Sequence, residues 1–301
     1  MSSPPPILLP TPILPSGKEV YFEDSTFFER HGRAKLPTPA DIRAAKPPGD
    51  RLPVRFPALG LLVKYGMNVR IAEGQCLWAI RHLFQDSVPV PEIYAWQQDD
   101  GETFLYMELI EGETLEHMWP DLTPFERSRV CGELQGMVKA LRTLRQAPDE
   151  TFVGSIGGQD LSERIFEGIG VKAGPFLNVK VFNDWLQALP IRNYSAEAIA
   201  KMWPEPYRAM LLDDAPICFT HGDLHPSNIM LSKAADGRKV SVCALIDFEQ
   251  AGWWPAYWEY CKAMYTAEPR GDWEKNYIPM FLEAWPACHE AWDFYAGSMG
   301  W

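Results

Sequence analysis

Between His221 and Glu249 the sequence sets three polar side chains at intervals that few folds can accommodate. His221-Gly222-Asp223-Leu224-His225-Pro226-Ser227-Asn228 carries an aspartate and, five residues on, an asparagine, and Asp247-Phe248-Glu249 begins nineteen residues after Asn228. Residues 229–231 and 240–246 between them read as a hairpin about Asp236-Gly237. One carboxylate can accept the proton of an attacking hydroxyl. An amide oxygen and a second carboxylate can hold Mg²⁺, a hard cation that prefers oxygen donors. Phosphoryl transfer needs that set of groups.

The chain around the motif has 301 residues, enough for one two-lobed domain or two ordinary ones with a large core. With 47% hydrophobic and 23% charged residues it has globular composition, which argues against disordered and fibrous classes. The net charge of −12 argues against a nucleic-acid or acidic-membrane partner and fits a cationic substrate. The cysteines (Cys76, Cys131, Cys218, Cys243, Cys261, Cys288) form no C-x-x-C pair and read as reduced, inert thiols. Prolines interrupt the apolar runs Ile7-Leu8-Leu9 and Ile13-Leu14, no basic stretch precedes them, and no long apolar span follows. The expected location is cytoplasmic.

Three regions are expected. Residues 1–35, proline-rich from Pro4 to Pro15, read as an extended N-terminal arm. Residues 36–110 read as a small antiparallel sheet with one packed helix. Thr38-Pro39-Ala40-Asp41 opens a short helix that Pro47 and Pro48 stop. A strand over 59–65 and a helix over 71–84 follow, the helix turning Leu77, Ile80 and Phe84 inward. Strands over 93–96 and 103–109 then flank the turn Asp99-Asp100-Gly101. Residues 111–301 read as mainly helical. Thr123-Pro124-Phe125-Glu126 is a capping box opening a helix to about Gln146. An irregular connection over 147–180, helices near 181–189 and 195–213, a short buried strand over 217–219 and helices beyond Pro255 complete it.

The pattern H-x-D-x-x-x-x-N followed by D-F-x resembles the kinase catalytic loop and metal motif. Gly222 in place of arginine, with the continuation Leu224-His225-Pro226-Ser227-Asn228, resembles the aminoglycoside phosphotransferase and choline kinase family. Members of that family phosphorylate small molecules. Phe219-Thr220-His221-Gly222-Asp223-Leu224-His225-Pro226 and Tyr257-Trp258-Glu259-Tyr260 are similar to its fungal aminoglycoside-phosphotransferase-like branch. The resemblance covers roughly residues 35–265. It implies a protein-kinase-like, two-lobed α+β fold, with a small antiparallel-sheet N-lobe over 36–110 and a larger, mainly helical C-lobe over 111–301. The order of expected elements agrees with that plan.

Asp223 is the candidate general base or orienter of an acceptor hydroxyl. An aspartate near pKa ~4 is a weak base at pH 7, so alignment is much of its value. The plain alternative is a loop cap beside glycine. Asn228 and Asp247 are candidate Mg²⁺ ligands, against a loop cap and a strand-end turn. The joint spacing is far more specific than any single acid. Lys64 faces the same way as Leu62, and its plain alternative is a lysine snorkelling at a sheet edge. The resemblance implies that Lys64 contacts the α- and β-phosphates of ATP and pairs with a glutamate on the next helix. Glu73 lies on the inward face with Leu77, Ile80 and Phe84, although a first-turn acid is favourable anyway. The resemblance also implies that a purine is read by backbone along Met107-Glu108-Leu109-Ile110, through Glu108 and Ile110. It does not separate ATP from GTP.

The resemblance further implies that His221 buttresses the loop, that Glu249 adds to metal binding and that Glu259 hydrogen-bonds the loop backbone. A zinc site on His221-x-Asp223-x-His225 is the rival reading, and it lacks partner motifs at the other histidines. Trp253, Trp254, Tyr257, Trp258 and Tyr260 suit a cationic amine by cation–π contact or, more plainly, pack helices. Arg55-Phe56-Pro57-Ala58-Leu59-Gly60 departs from the family in having no glycine-rich phosphate flap. The expected activity is transfer of the γ-phosphate of ATP, with Mg²⁺, to a hydroxyl of a small molecule, and the acidic charge balance suits a cationic acceptor. A choline- or ethanolamine-type kinase and a nucleotide-binding pseudoenzyme are the alternatives. A protein kinase is disfavoured because no A-P-E segment follows Asp247.

Overall fold

The β-rich run ending in Lys64 forms an inner strand of a five-stranded antiparallel sheet. Across the sheet the order is Glu19–Tyr21, Ile93–Asp99, Glu102–Glu108, Leu61–Gly66 and Val54–Phe56. Side chains alternate between faces along a strand. Leu61 and Val63 therefore join Phe27, Phe28, Ile42, Tyr94, Phe104 and Tyr106 in one buried cluster, and Leu62 and Lys64 take the opposite face. Burying each of the larger side chains contributes about 1.5–3 kcal/mol. Helix Ile71–Phe84 has the bounds the periodicity predicts, with Leu77, Ile80 and Phe84 buried. Its backbone lies close on the sheet at Gly74, where a Cβ would come within 2.9 Å of the Trp96 ring.

The computed structural model describes residues 5–45, 52–202, 205–233 and 239–300. Pro47, Pro48 and the Asp236-Gly237 turn lie outside them. The chain divides into two compact units. One comprises Ile13–Met118 with Ser227–Glu249, and the other Met1–Pro12, Trp119–Pro226 and Gln250–Trp301.

The sheet unit differs in two ways from the expected 36–110 region. Part of the expected N-terminal arm is structured. Glu19–Tyr21 pairs with the strand Ile93–Asp99, and helix Thr26–His31 buries Phe27 and Phe28 on the sheet. The proline-rich stretch hides this because the apolar pair lies beyond it, in a helix of under two turns. The hairpin of Ile229–Lys233 and Val240–Leu245 also groups with the sheet unit, pairing its first strand with Glu113–Thr114.

In the other unit Thr123 and Glu126 form both halves of the capping box. The helix runs over Pro124–Leu141, short of the expected Gln146, because Leu144–Arg145 leaves it to pair in parallel with Ile7–Leu8. Helix is found over Val179–Ala188 and Ala196–Met202, and a 3-10 turn over Tyr207–Met210 replaces the rest of the expected 195–213 helix. The predicted buried strand, Ile217–Thr220, pairs with Gly252–Pro255, which pairs in turn with Gly154–Ser155. Helices Trp258–Thr266 and Pro286–Ser298 pack Trp258, Trp292 and Tyr295 against Phe166, Phe182 and Trp254. All six cysteines are free and only Cys243 is partly exposed. Burial pushes the Cys76 and Cys261 thiols well up and that of Cys131 to about 12, which keeps them protonated. Among the described residues no helix is long and apolar enough to cross a membrane.

Candidate active site

The sheet unit brings Lys64, Glu73 and Asp247 together. Lys64 Nζ donates to Glu73 Oε1 and to Asp247 Oδ1, each at 2.6 Å. Leu61–Gly66 presents the lysine and the first turn of helix Ile71–Phe84 presents the glutamate, as their facing predicts. Burial alone would lower the lysine's pKa, but the two carboxylates outweigh it and raise it, so the ammonium stays charged. Glu73 is only 3% exposed. Burial, with Asp247 nearby, raises its carboxyl above the usual range despite the lysine. One cation shared by two acids cannot fully compensate the more buried one.

Asn228 and Asp247 sit at the same end of the Ile229–Lys233/Val240–Leu245 hairpin. Ile229 pairs with Leu245, and the Ile246 amide donates to the Asn228 carbonyl at 2.9 Å. Asp247 adopts φ 66°, a left-handed conformation that costs a non-glycine residue about 1–3 kcal/mol and occurs preferentially at functional sites. Among the described residues no cluster of three or more His, Cys, Asp or Glu side chains suits a metal. Mg²⁺ in phosphoryl-transfer sites takes one or two carboxylates plus substrate phosphates, so the oxygen donors of Asn228 and Asp247 fit it. The same finding removes the zinc reading of His221 and His225 among the described residues.

Glu108 and Ile110, the expected purine-reading positions, line a cavity of about 470 Å³ with Thr26, Arg30, Gly60 and Glu92. The Glu108 carboxylate accepts the Glu92 amide at 3.1 Å, so its side chain braces the strand end. Where the family has a glycine flap, Val54–Phe56 passes into a 3-10 turn, Pro57–Leu59. The turn's Gly60 amide returns to the Pro57 carbonyl at 3.1 Å. Pro57 has no amide hydrogen and the Gly60 amide is taken, so two of the turn's four residues have none to give a phosphate.

Asp223 belongs to the other unit, and the unit boundary falls between Pro226 and Ser227. Its loop is anchored from helix Trp258–Thr266. Glu259, 4% exposed, accepts the His221 amide at 2.7 Å and the Gly222 amide at 3.2 Å. Fully buried His221 accepts the Asp223 amide on Nδ1 at 3.2 Å. The buttressing by His221 and the backbone bonds of Glu259 are as the resemblance implies. Gly222 is at φ 80°, and a Cβ there would come within 2.5 Å of the Gln250 carbonyl oxygen, so the corner before Asp223 requires glycine. Gln250, which no sequence signal marks, is thereby part of the site's frame. The rings of Trp253, Trp254, Tyr257, Trp258 and Tyr260 are all buried. Trp254, Tyr257 and Trp258 pack in the helical core, Trp253 meets Phe219 edge-on and Tyr260 meets His289, so each ring has a packing role.

Lys64 is held between Glu73 and Asp247 on the sheet unit, and Asp223 sits on a loop anchored by Glu259 in the helical unit. Residues of these types in that order, on a small antiparallel sheet followed by a helical unit, match the plan of the kinase-like α+β phosphotransferases. The chain belongs to the phosphotransferase enzyme family (APH), whose sequence profile matches residues 76–296.

Several solved structures are similar. A thermostable mutant of aminoglycoside phosphotransferase APH(4)-Ia, in ternary complex with ADP and hygromycin B, is 17% identical with a TM-score of 0.40. The match covers 73% of this chain and 66% of that one, just under two thirds of its length. The streptomycin–ATP complex of APH(2'')-IIa is 15% identical over 77% of this chain and 74% of that one, with a TM-score of 0.47. APH(3'')-Id from Streptomyces rimosus, in complex with ADP and streptomycin, is 14% identical over 81% and 88%, with a TM-score of 0.47. No curated protein matches the sequence.

Proposed function

We propose that the protein transfers the γ-phosphate of ATP to a hydroxyl group of a small molecule. The observation that carries this reading is Lys64, held at 2.6 Å by Glu73 and at 2.6 Å by Asp247, on the unit that also holds Asn228. Mg²⁺ bound by Asn228 and Asp247 would supply positive charge to the phosphate oxygens. Lys64 contacts the α- and β-phosphates, with Glu73 keeping its ammonium in place. Glu108 and Ile110 read the purine through their backbone groups. Asp223 orients the acceptor hydroxyl and takes its proton as oxygen attacks the γ-phosphorus, the bond to the β-phosphate oxygen breaks, and ADP leaves. Without a glycine flap, phosphate alignment falls mainly on Lys64 and the metal donors. The Pro57–Leu59 turn favours one rival reading, a nucleotide-binding relative without turnover.

The two readings separate in an ADP-release assay with Mg-ATP against amino sugars, choline-like amines and hydroxylated metabolites. The expected result is acceptor-dependent ADP release. In Asp223→Asn it should fall by roughly 10²-fold or more, the scale for losing a positioned acid–base group, with ATP affinity little changed. Near-normal turnover in that variant would remove Asp223 from the mechanism, and no turnover with any acceptor would favour the rival.

A further inference from the structure

Behind the catalytic loop the helical unit buries an ion pair that the mechanism above does not use. Lys262 Nζ donates to Glu163 Oε1 at 2.7 Å and to Gln250 Oε1 at 3.2 Å. All three residues are buried, Glu163 completely. Glu163 Oε2 and Gln250 Nε2 are buried without a hydrogen-bond partner. Isolated buried polar atoms of this kind cost about 1–3 kcal/mol each, so burial of the cluster is not explained by stability alone.

The cluster leads to Asp223 by a short path. Lys262 holds the Gln250 side chain, and Trp254 Nε1 donates to the Gln250 carbonyl at 3.1 Å, so Gln250 is pinned at both ends. Gly222 packs on that carbonyl, 2.5 Å from its would-be Cβ, and Asp223 follows. Glu259 and Lys262 lie three apart on helix Trp258–Thr266, a spacing that shares one helix face. One helix thus sends a carboxylate to the loop amides and an ammonium to the residue on which the loop leans. Burial raises the Glu163 carboxyl above the usual range, against the opposing pull of Lys262.

We propose that Lys262 is a positioning residue for Asp223, holding Gln250 against the Gly222 corner and neutralising Glu163 behind the loop. The catalytic half of this inference rests on Asp223 being the acceptor-aligning group, whereas the positioning half does not.

The test uses the full chain, its Lys262→Met variant and the charge-neutral pair Glu163→Gln/Lys262→Met, which removes the tether without leaving an unpaired acid. Hydrogen exchange followed by mass spectrometry reads residues 217–225 against helix Trp258–Thr266. The expected result is exchange about tenfold faster or more at His221, Gly222 and Asp223, with the helix unchanged. On any acceptor that supports turnover, kcat should fall about tenfold with KM for ATP unchanged. Loop exchange at the wild-type rate, or exchange rising throughout the helix as well, would overturn the proposal. So would failure of both variants to fold, which would make the pair structural. Absence of turnover in the wild type refutes the phosphotransfer reading, and the exchange result still decides the positioning role.

Discussion

The Lys64 ammonium lies 2.6 Å from Asp247 Oδ1, on the side chain proposed to hold the metal. On the proposed reading a metal bound by Asp247 would share this carboxylate with Lys64, and the phosphates of ATP would offer oxygens to both. ATP should raise the melting temperature more with Mg²⁺ than with EDTA, since a ligand at 100 times its Kd stabilises by about 2.7 kcal/mol. Asp247→Asn should abolish most of that difference. Equal shifts with and without Mg²⁺ would sink the metal assignment.

A lysine facing outward on a strand would be dispensable for stability, but Lys64 is the counter-ion of buried Glu73. Lys64→Ala should cost roughly 1–3 kcal/mol, limited by the ability of Glu73 to take up a proton. Lys64→Ala/Glu73→Gln should recover much of the loss. Urea denaturation of the four combinations measures the coupling, and additive effects would mean that the pair is not linked.

Gly222→Ala pushes a methyl group into the Gln250 carbonyl and holds alanine at φ 80°. A loss of about 1–3 kcal/mol is expected for the backbone conformation alone. Chemical denaturation and the turnover assay should fall together. An alanine variant with wild-type stability and activity would show that the corner adapts.

His289 supplies a pH dependence. Burial lowers its pKa below the usual histidine range, and Nε2 has no hydrogen-bond partner. As pH falls through ~6.5 the unfolded chain takes up a proton that the folded chain refuses. The histidine's contribution to stability is therefore fully present above ~6.5 and declines as pH drops towards the lower folded value. His289→Leu should flatten the fall in urea midpoint over that window. A slope identical to wild type would remove His289 as its source.

Local chemistry was legible wherever its signal was periodic or closely spaced. The Thr123–Glu126 box, the bounds of helix Ile71–Phe84, the facing of Lys64 and Glu73, and the paired strands Ile229–Lys233 and Val240–Leu245 all follow from neighbours a few residues apart. The spacing from Asp223 to Asn228 and Asp247 was legible for the same reason.

Other features exist only through pairings between distant segments. Ile7–Leu8 with Leu144–Arg145, Glu19–Tyr21 with Ile93–Asp99, and Gly154–Ser155 with Gly252–Pro255 are short strands whose register no local pattern encodes. The hairpin's place in the sheet unit, the burial of the tryptophans after Asp247, and the Glu163–Lys262–Gln250 cluster likewise depend on what packs against them. Periodicity records which face of an element is apolar, and spacing records which groups can meet within a loop. The partner that covers a face or neutralises a buried charge is chosen when the chain closes, and folding alone brings Glu163 to Lys262, 99 residues away in sequence.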